Sequence, residues 1–314
     1  MDKIIKEFKT TKFVINIIIT TSINSSLRIN IKDCLIIINY LINKRLRIAF
    51  QGERGAYSEM AIILKFPKST AIPLKSFHDV FETVINDLSD LAVVPIENSI
   101  EGSVNETYDL LLQDQIYISG EIFQKINHCL IVNRDYKEII NVYSHPQALG
   151  QCRNYIENKN LEPIPLYDTA GAVKFIKENN MIRSAAIASR RAAEIYEMKI
   201  LEEGIEDKKN NFTRFFVLSK HPLAKPSGRD RTSIIFALEH KPGSLYNILK
   251  EFSHQNINLT RIESRPTKET PWEYYFYVDF DGHYNDEKVI LTIDRIKIQT
   301  KFFKLLGSYQ KGIF

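Results

Sequence analysis

The chain has 314 residues, 44% of them hydrophobic and 25% charged, which suits a globular protein with two or three cores. The net charge of +4 is uneven: residues 1–47 hold nine Lys/Arg against three Asp/Glu, which leaves −2 for the remainder, and a near-neutral body argues against nucleic-acid binding. The three cysteines, Cys34, Cys129 and Cys152, are scattered with no C-x-x-C, and no H-E-x-x-H occurs, so neither a disulfide framework nor a metal site is expected, and a reducing, cytoplasmic compartment fits.

Residues 1–46 stand apart, with thirteen Ile and no Ala, Gly or Pro. Their two apolar runs, 13–20 and 34–42, fall short of the ~20 residues that span a bilayer. The basic start is followed by no small-residue cleavage site. The segment is expected to be an extension outside the folded body or the result of a start codon placed too early, with a transit peptide as the alternative, and no membrane partner is expected.

From residue 47 the pattern alternates. A strand over 47–50, a helix over 57–65, a strand over 70–74, a helix over 77–87, a strand over 91–96 and a helix over 105–112 predict parallel α/β architecture. A strand-like stretch over 116–132 leads into a second series. This comprises strands at 141–143, 162–166, 184–188 and 212–219, with helices at 146–157, 170–179 and 190–196. Two lobes linked by crossing strands make a cleft near strand carboxyl ends. The stretch 221–230, with Pro222, Pro226 and Gly228, reads as a linker. Beyond it a strand (232–238), helix (244–254), two strands (257–265 and 273–280), helix (286–296) and strand (301–306) predict a ferredoxin-like βαββαβ unit. The domains expected are thus 47–220, the linker 221–230, and 231–314.

Five motifs sit where these elements meet. Gly52-Glu53-Arg54-Gly55-Ala56-Tyr57-Ser58 joins a strand to a helix, but it lacks the G-x-G-x-x-G spacing and reads first as a structural turn. Pro95-Ile96-Glu97-Asn98-Ser99 ends an apolar strand in polar side chains, where ligand contacts or helix caps belong. In Ser144-His145-Pro146-Gln147-Ala148-Leu149-Gly150-Gln151-Cys152, the two Gln lie four apart on one helix face. Asp168-Thr169-Ala170-Gly171-Ala172 is a good helix start. In Asn211-Phe212-Thr213-Arg214-Phe215, strand alternation puts Thr213 and Phe215 on one face and Arg214 on the other. Each is weak alone.

In this order and spacing they resemble prephenate dehydratase, from about residue 47 to about 309. The far side of the linker extends the likeness: Lys241-Pro242-Gly243-Ser244-Leu245 and Glu263-Ser264-Arg265-Pro266 look like the two ligand motifs of an ACT regulatory domain, with Ser244 where Ala is common. The resemblance implies a two-lobed, periplasmic-binding-protein-like catalytic domain plus the ACT domain. It implies no cofactor, prephenate as substrate, and a homodimer or homotetramer inhibited by phenylalanine. Thr213, Asn98 and Gln151 are implied as catalytic. Glu97, Ser99, Ser144, Arg214 and Phe215 are implied as substrate contacts. Gly243, Ser244, Leu245, Glu263, Ser264, Arg265 and Pro266 are implied as the phenylalanine site. The same motifs suit an arogenate dehydratase. Two hinged lobes with an ACT domain also describe a non-catalytic phenylalanine sensor.

Overall fold

The computed structural model describes residues 45–112, 115–222, 225–268 and 272–313; the Ile-rich extension lies outside them. Lobe 1 is built on a sheet of order β2-β1-β3-β11-β5. Its strands are β1 (Arg47–Gln51), β2 (Thr70–Leu74), β3 (Leu91–Asn98), β5 (Tyr117–Lys125) and β11 (Phe212–Ser219), and a short β4 (Gly102–Ser103) pairs with β3. Strands β1, β2 and β3 run parallel, whereas β11 is antiparallel to both β3 and β5. Helices α1 (Tyr57–Lys65), α2 (Phe77–Ile85) and α3 (Asn105–Leu110) belong to this lobe. The Ser76 hydroxyl caps α2 by accepting from Asp79 N, as its residue type favours.

Lobe 2 has the order β10-β6-β9-β7-β8, from β6 (Cys129–Val132), β7 (Asn141–Ser144), β8 (Glu162–Pro165), β9 (Ser184–Ala188) and β10 (Lys199–Glu203). Helices α4 (Pro146–Gln151), α5 (Arg153–Asn158), α6 (Thr169–Glu178) and α7 (Arg190–Ile195) connect them. The single helix expected over 146–157 is thus two. Asp207 makes the break: its N–H takes the Gln151 carbonyl at 2.8 Å and its carboxylate accepts from Asn154 N at 3.3 Å. The chain crosses between lobes twice, over 126–128 and over 204–211, and the crossings bond to each other through Ile126 N to Asn211 O (2.8 Å) and Ile205 N to His128 O (3.1 Å).

The C-terminal unit, β12 (Asp230–Ala237), α8 (Ser244–His254), β13 (Leu259–Pro266), β14 (Tyr274–Asp281), α9 (Glu287–Gln299) and β15 (Phe302–Gln310), has the expected βαββαβ order and an antiparallel sheet β13-β14-β12-β15. One core spans both lobes, joining Phe50 and Val93 to Ala186, Ala188 and Phe215. A second joins lobe 1 to the C-terminal sheet through Val94, Phe216 and Leu218 with Ile235, Tyr277 and Tyr309. Each fully buried Phe in these clusters contributes roughly 1.5–3 kcal/mol. Gly307, at φ 146°, lets β15 approach β5 so closely that a Cβ there would lie 2.3 Å from Ile118 O. Buried charges seal the same junction: Arg214 binds Glu121 and Asp279, and Arg231 also reaches Glu121.

Candidate functional site

The cleft between the lobes holds about 420 Å³ and is lined from both sides. Lobe 1 contributes Tyr57 and Ser58 at the start of α1, Asn98 at the end of β3, and Thr213 and Phe215 of β11. Lobe 2 contributes His145, Gln147 and Gln151 of the α4 turn and Tyr167, Asp168 and Thr169 at the start of α6. Helix α1 has no side-chain cap, so its first-turn N–H groups remain available to an anion. His145 caps α4 by accepting from Gln147 N, and Pro146 fits the first helical position. Asp168 caps α6 through Gly171 N at 2.7 Å. Burial pushes the Asp168 carboxyl up, against the opposing pull of the Gly171 and Ala170 N–H groups.

Antiparallel register sets Thr213 opposite Asn98. The Asn98 side-chain oxygen accepts from Ile100 N (2.9 Å) and Glu101 N (3.0 Å). Its NH2 donates one hydrogen to Asn211 Oδ1 at 2.8 Å and shares the other between Thr213 Oγ1 at 3.1 Å and Phe212 O at 3.2 Å. Thr213 therefore receives a hydrogen bond from the protein, and its own hydroxyl hydrogen is left for the cleft. Gln151 completes the group from lobe 2: Asn211 Nδ2 lies 2.7 Å and His128 Nε2 2.9 Å from its Oε1. Thus Thr213, Asn98, Gln151 and Phe215, widely separated in sequence, meet in the cleft.

Four other expected substrate contacts are committed to protein partners and do not line it. Ser144 is fully buried and donates to Ile187 O at 2.6 Å. Ser99 donates to Asn210 O and accepts from Phe212 N, both at 3.0 Å, bracing the second crossing. Glu97 pairs with Arg261 of β13. Arg214 points to the opposite face of β11 from Thr213, into the junction with the C-terminal sheet, where Tyr309 Oη also accepts at 3.1 Å. Motif reading passed over His128, which contacts Tyr57 at 3.0 Å, and quoted Tyr57 and Asn211 within its stretches without giving either a role. The Gly52–Ser58 loop is a clamp between lobes: Ser189 donates to Gly55 O at 2.6 Å and Lys174 pairs with Glu53 at 3.2 Å.

At the C-terminal unit, Gly243 adopts φ 83° before α8, a left-handed turn that favours glycine. Leu245 packs on the core beneath. On β13, alternation divides the expected ligand residues. Ser264 faces the helix side with its partner Phe276. Glu263 and Arg265 face lobe 1, where they meet Ser103 at 2.8 Å and Asp109 at 3.2 Å. Pro266 ends the strand, exposed, and Ser244 is half-buried at the start of α8.

Residues 48–223 match the family model described as prephenate dehydratase, and residues 232–296 match that of the ACT domain. The chain is 41% identical over 277 residues to arogenate dehydratase/prephenate dehydratase 2, chloroplastic, of Arabidopsis thaliana, covering 84% of this chain and 73% of that protein. It is 40% identical over 277 residues to the bifunctional chorismate mutase/prephenate dehydratase of Aquifex aeolicus, covering 87% and 75%. Among solved structures, prephenate dehydratase of Arthrobacter aurescens in complex with L-Phe aligns with a TM-score of 0.78 at 30% identity, over 84% of this chain and 90% of that one. A structure described as GqqA, a novel type of quorum quenching acylases, aligns with a TM-score of 0.78 at 31% identity, over 84% and 98%.

Proposed function

Because the chain belongs to the prephenate dehydratase family, and is therefore a lyase, we propose that its own reaction is the decarboxylating dehydration of prephenate to phenylpyruvate, inhibited by phenylalanine. The observation that carries this reading is the direction of the Asn98–Thr213 hydrogen bond. In the reaction the ring carboxylate departs as CO2, its bonding electrons enter the ring, and the C4–O bond breaks with loss of hydroxide, which takes up a proton to become water. Aromatisation supplies the driving force. Thr213, with its hydrogen free, donates to the departing oxygen. An alcohol is a weak acid, so it acts by hydrogen bonding and orientation more than by full proton transfer. The uncapped first turn of α1 suits a carboxylate of the dianion, and Phe215 supplies an apolar wall for the ring.

Prephenate is favoured over arogenate by the carboxylates of the cleft. Arogenate brings an ammonium group, which needs an acceptor. Asp168, the buried carboxyl there, already caps α6 by accepting from backbone N–H groups. The other carboxylate of the cleft, Glu106, stands exposed at the start of α3. Regulation is placed at the C-terminal unit, on Gly243, Ser244, Leu245 and Ser264. Exposed Tyr246, Ile262 and Ile298 (65%, 46% and 86% exposed) supply apolar surface for pairing two such units, so at least a dimer is proposed. A cytoplasmic setting suits the unpaired, buried Cys129 and Cys152. No helix among the described residues is long and apolar enough to cross a membrane.

The test is to incubate purified protein separately with prephenate and arogenate and to measure phenylpyruvate and phenylalanine. Faster turnover of prephenate, falling as phenylalanine rises, is the expected result. Faster turnover of arogenate overturns the substrate assignment, and inertness toward both overturns the activity.

A further inference from the structure

Six side chains form one continuous hydrogen-bonded chain across the hinge: Tyr57, His128, Gln151, Asn211, Asn98 and Thr213. Its direction can be read from one end. Two backbone N–H groups, of Ile100 and Glu101, occupy Asn98 Oδ1, so the other side of that amide must be the donor. Asn98 Nδ2 therefore donates to Asn211 Oδ1, and the remaining side of Asn211, its NH2, donates to Gln151 Oε1. The same Gln151 oxygen faces His128 Nε2, a contact that only an N–H on Nε2 satisfies. The other ring nitrogen, Nδ1, is left as an acceptor opposite the Tyr57 hydroxyl, whose one hydrogen is shared between Nδ1 at 3.0 Å and Asn127 O at 2.8 Å.

We propose that His128 and Asn211 are positioning residues that occupy the Gln151 carbonyl from two sides, so that Gln151 presents its NH2 to the cleft as a donor for a substrate oxygen. Among the described residues no protein acceptor is recorded for that NH2. A flipped Gln151 would set its NH2 against the Asn211 NH2 and the His128 Nε2–H at once, and His128 and Asn211 are only 2% and 0% exposed. The two residues come from different places. His128 lies in the first crossing and Asn211 in the second, so the donor is assembled only while both crossings and α4 keep their register. The cleft then offers hydrogens from Thr213 and Gln151 and turns their oxygens toward the protein, which selects for an anionic, oxygen-rich ligand over one that brings donors.

A neutral imidazole has one N–H, as the chain requires. Burial lowers the His128 pKa, opposed by Gln151 and by Glu206. Around the ring stand Tyr57 from α1, Gln151 at the end of α4, and Glu206 from the second crossing, whose carboxylate accepts the His128 backbone N–H at 2.9 Å. None of these supplies a carboxylate directly to the ring nitrogens.

The proposal rests on the dehydratase reading only for the identity of the oxygen that Gln151 meets. Its test compares His128→Gln, whose amide reaches Gln151 as a donor, with His128→Asn, whose amide stops short. With whichever of prephenate and arogenate the wild type turns over, His128→Asn is expected to lower kcat/KM by about tenfold, the scale of one well-placed hydrogen bond. His128→Gln is expected to restore most of it. In a Gln151→Leu background the two variants should be equal, because His128 acts through Gln151. Separately, nitrogen-15 NMR of the imidazole in the resting wild type should show Nε2 protonated and Nδ1 bare, a readout that needs neither a variant nor turnover. Equal activity of the two variants, a loss that persists undiminished without Gln151, or a proton on Nδ1 instead of Nε2 overturns the proposal. A wild type inert toward both substrates refutes the dehydratase reading instead, and the imidazole spectrum still decides the direction of the chain.

Discussion

Ser103 donates its hydroxyl hydrogen to Glu263 at 2.8 Å, tying the loop that follows Asn98 to the strand that carries Ser264, one of the proposed effector residues. Arg261 strengthens the tie. It holds Glu97, the neighbour of Asn98, with one nitrogen and Ser103 with another at 2.7 Å. Strand β13 thus turns Ser264 toward α8 and Glu263 toward the loop that follows Asn98. A shift of β13 on binding phenylalanine would be felt at Asn98 without any intervening domain.

Ser103→Ala should therefore loosen coupling while leaving the effector residues in place. Losing one hydrogen bond to a charged acceptor corresponds to roughly 1.5–3 kcal/mol at most, within the ordinary range of allosteric coupling. Phenylalanine should still bind by calorimetry, but the depth of inhibition should fall several-fold. Unchanged inhibition would show that the signal does not pass through this contact.

Thr213→Val keeps the shape of the side chain and removes the hydroxyl. Turnover should fall by a factor on the order of 10² or more, as expected when assistance to a leaving group is lost. Asn98 would lose one of its acceptors, so a smaller, measurable drop in thermal stability should accompany it. Near-wild-type turnover would take Thr213 out of the mechanism.

Arg214→Met tests a structural assignment. Arg214 is bound by Glu121 and Asp279 with 7% of its side chain exposed, and removing one member of such a buried cluster costs about 3–5 kcal/mol. Denaturant unfolding should show a loss of that size, while KM per folded molecule should stay near wild type because the guanidinium faces away from the cleft. A large rise in KM with normal stability would return Arg214 to the substrate.

Acid should weaken the fold partly through His128. Burial holds its pKa below the ordinary value of about 6.5. Above that pH neither the folded nor the unfolded imidazole binds a proton, and stability is full. As pH falls through about 6.5 the unfolded chain takes up a proton that the fold resists, so stability is lost until the folded imidazole also titrates. His128→Gln lacks this contribution. The unfolding free energy of the wild type should decline relative to that variant between about pH 7 and pH 5, and a constant difference would show that His128 is not desolvated as described. His145, also lowered by burial, is common to both proteins and cancels.

Much of this architecture was legible because local signals agreed with the tertiary outcome. Helices Tyr57–Lys65 and Ser244–His254 begin and end where the pattern places them. Strand β10, Lys-Ile-Leu-Glu-Glu, was invisible because it is a half-polar edge strand paired with β6 alone. The break after Gln151 escaped notice because Asp207, more than fifty residues away, imposes it. Motif order points to Thr213, Asn98 and Gln151, and all three line the cleft. Ser144, Ser99, Glu97 and Arg214 carry the same signal, yet their partners are Ile187, Asn210, Arg261 and Glu121, and no periodicity reports a tertiary partner. His128 shows the reverse, a polar residue directly before an apolar run, whose place in the cleft appears only when two crossings meet.

The contact of Gly307 with Ile118 O carries a consequence for the covalent chain itself. Where two backbones touch with no room for a methyl group, and a shared core and buried charges surround them, the tether between the domains adds little to their adhesion. The protein is in effect two subunits joined by an optional thread. A single proteolytic cut within 221–229 should leave both fragments travelling together in gel filtration, and separately expressed halves should assemble like an obligate heterodimer. Placing alanine at 307 should do what the cut cannot, prising the halves apart while the thread stays whole.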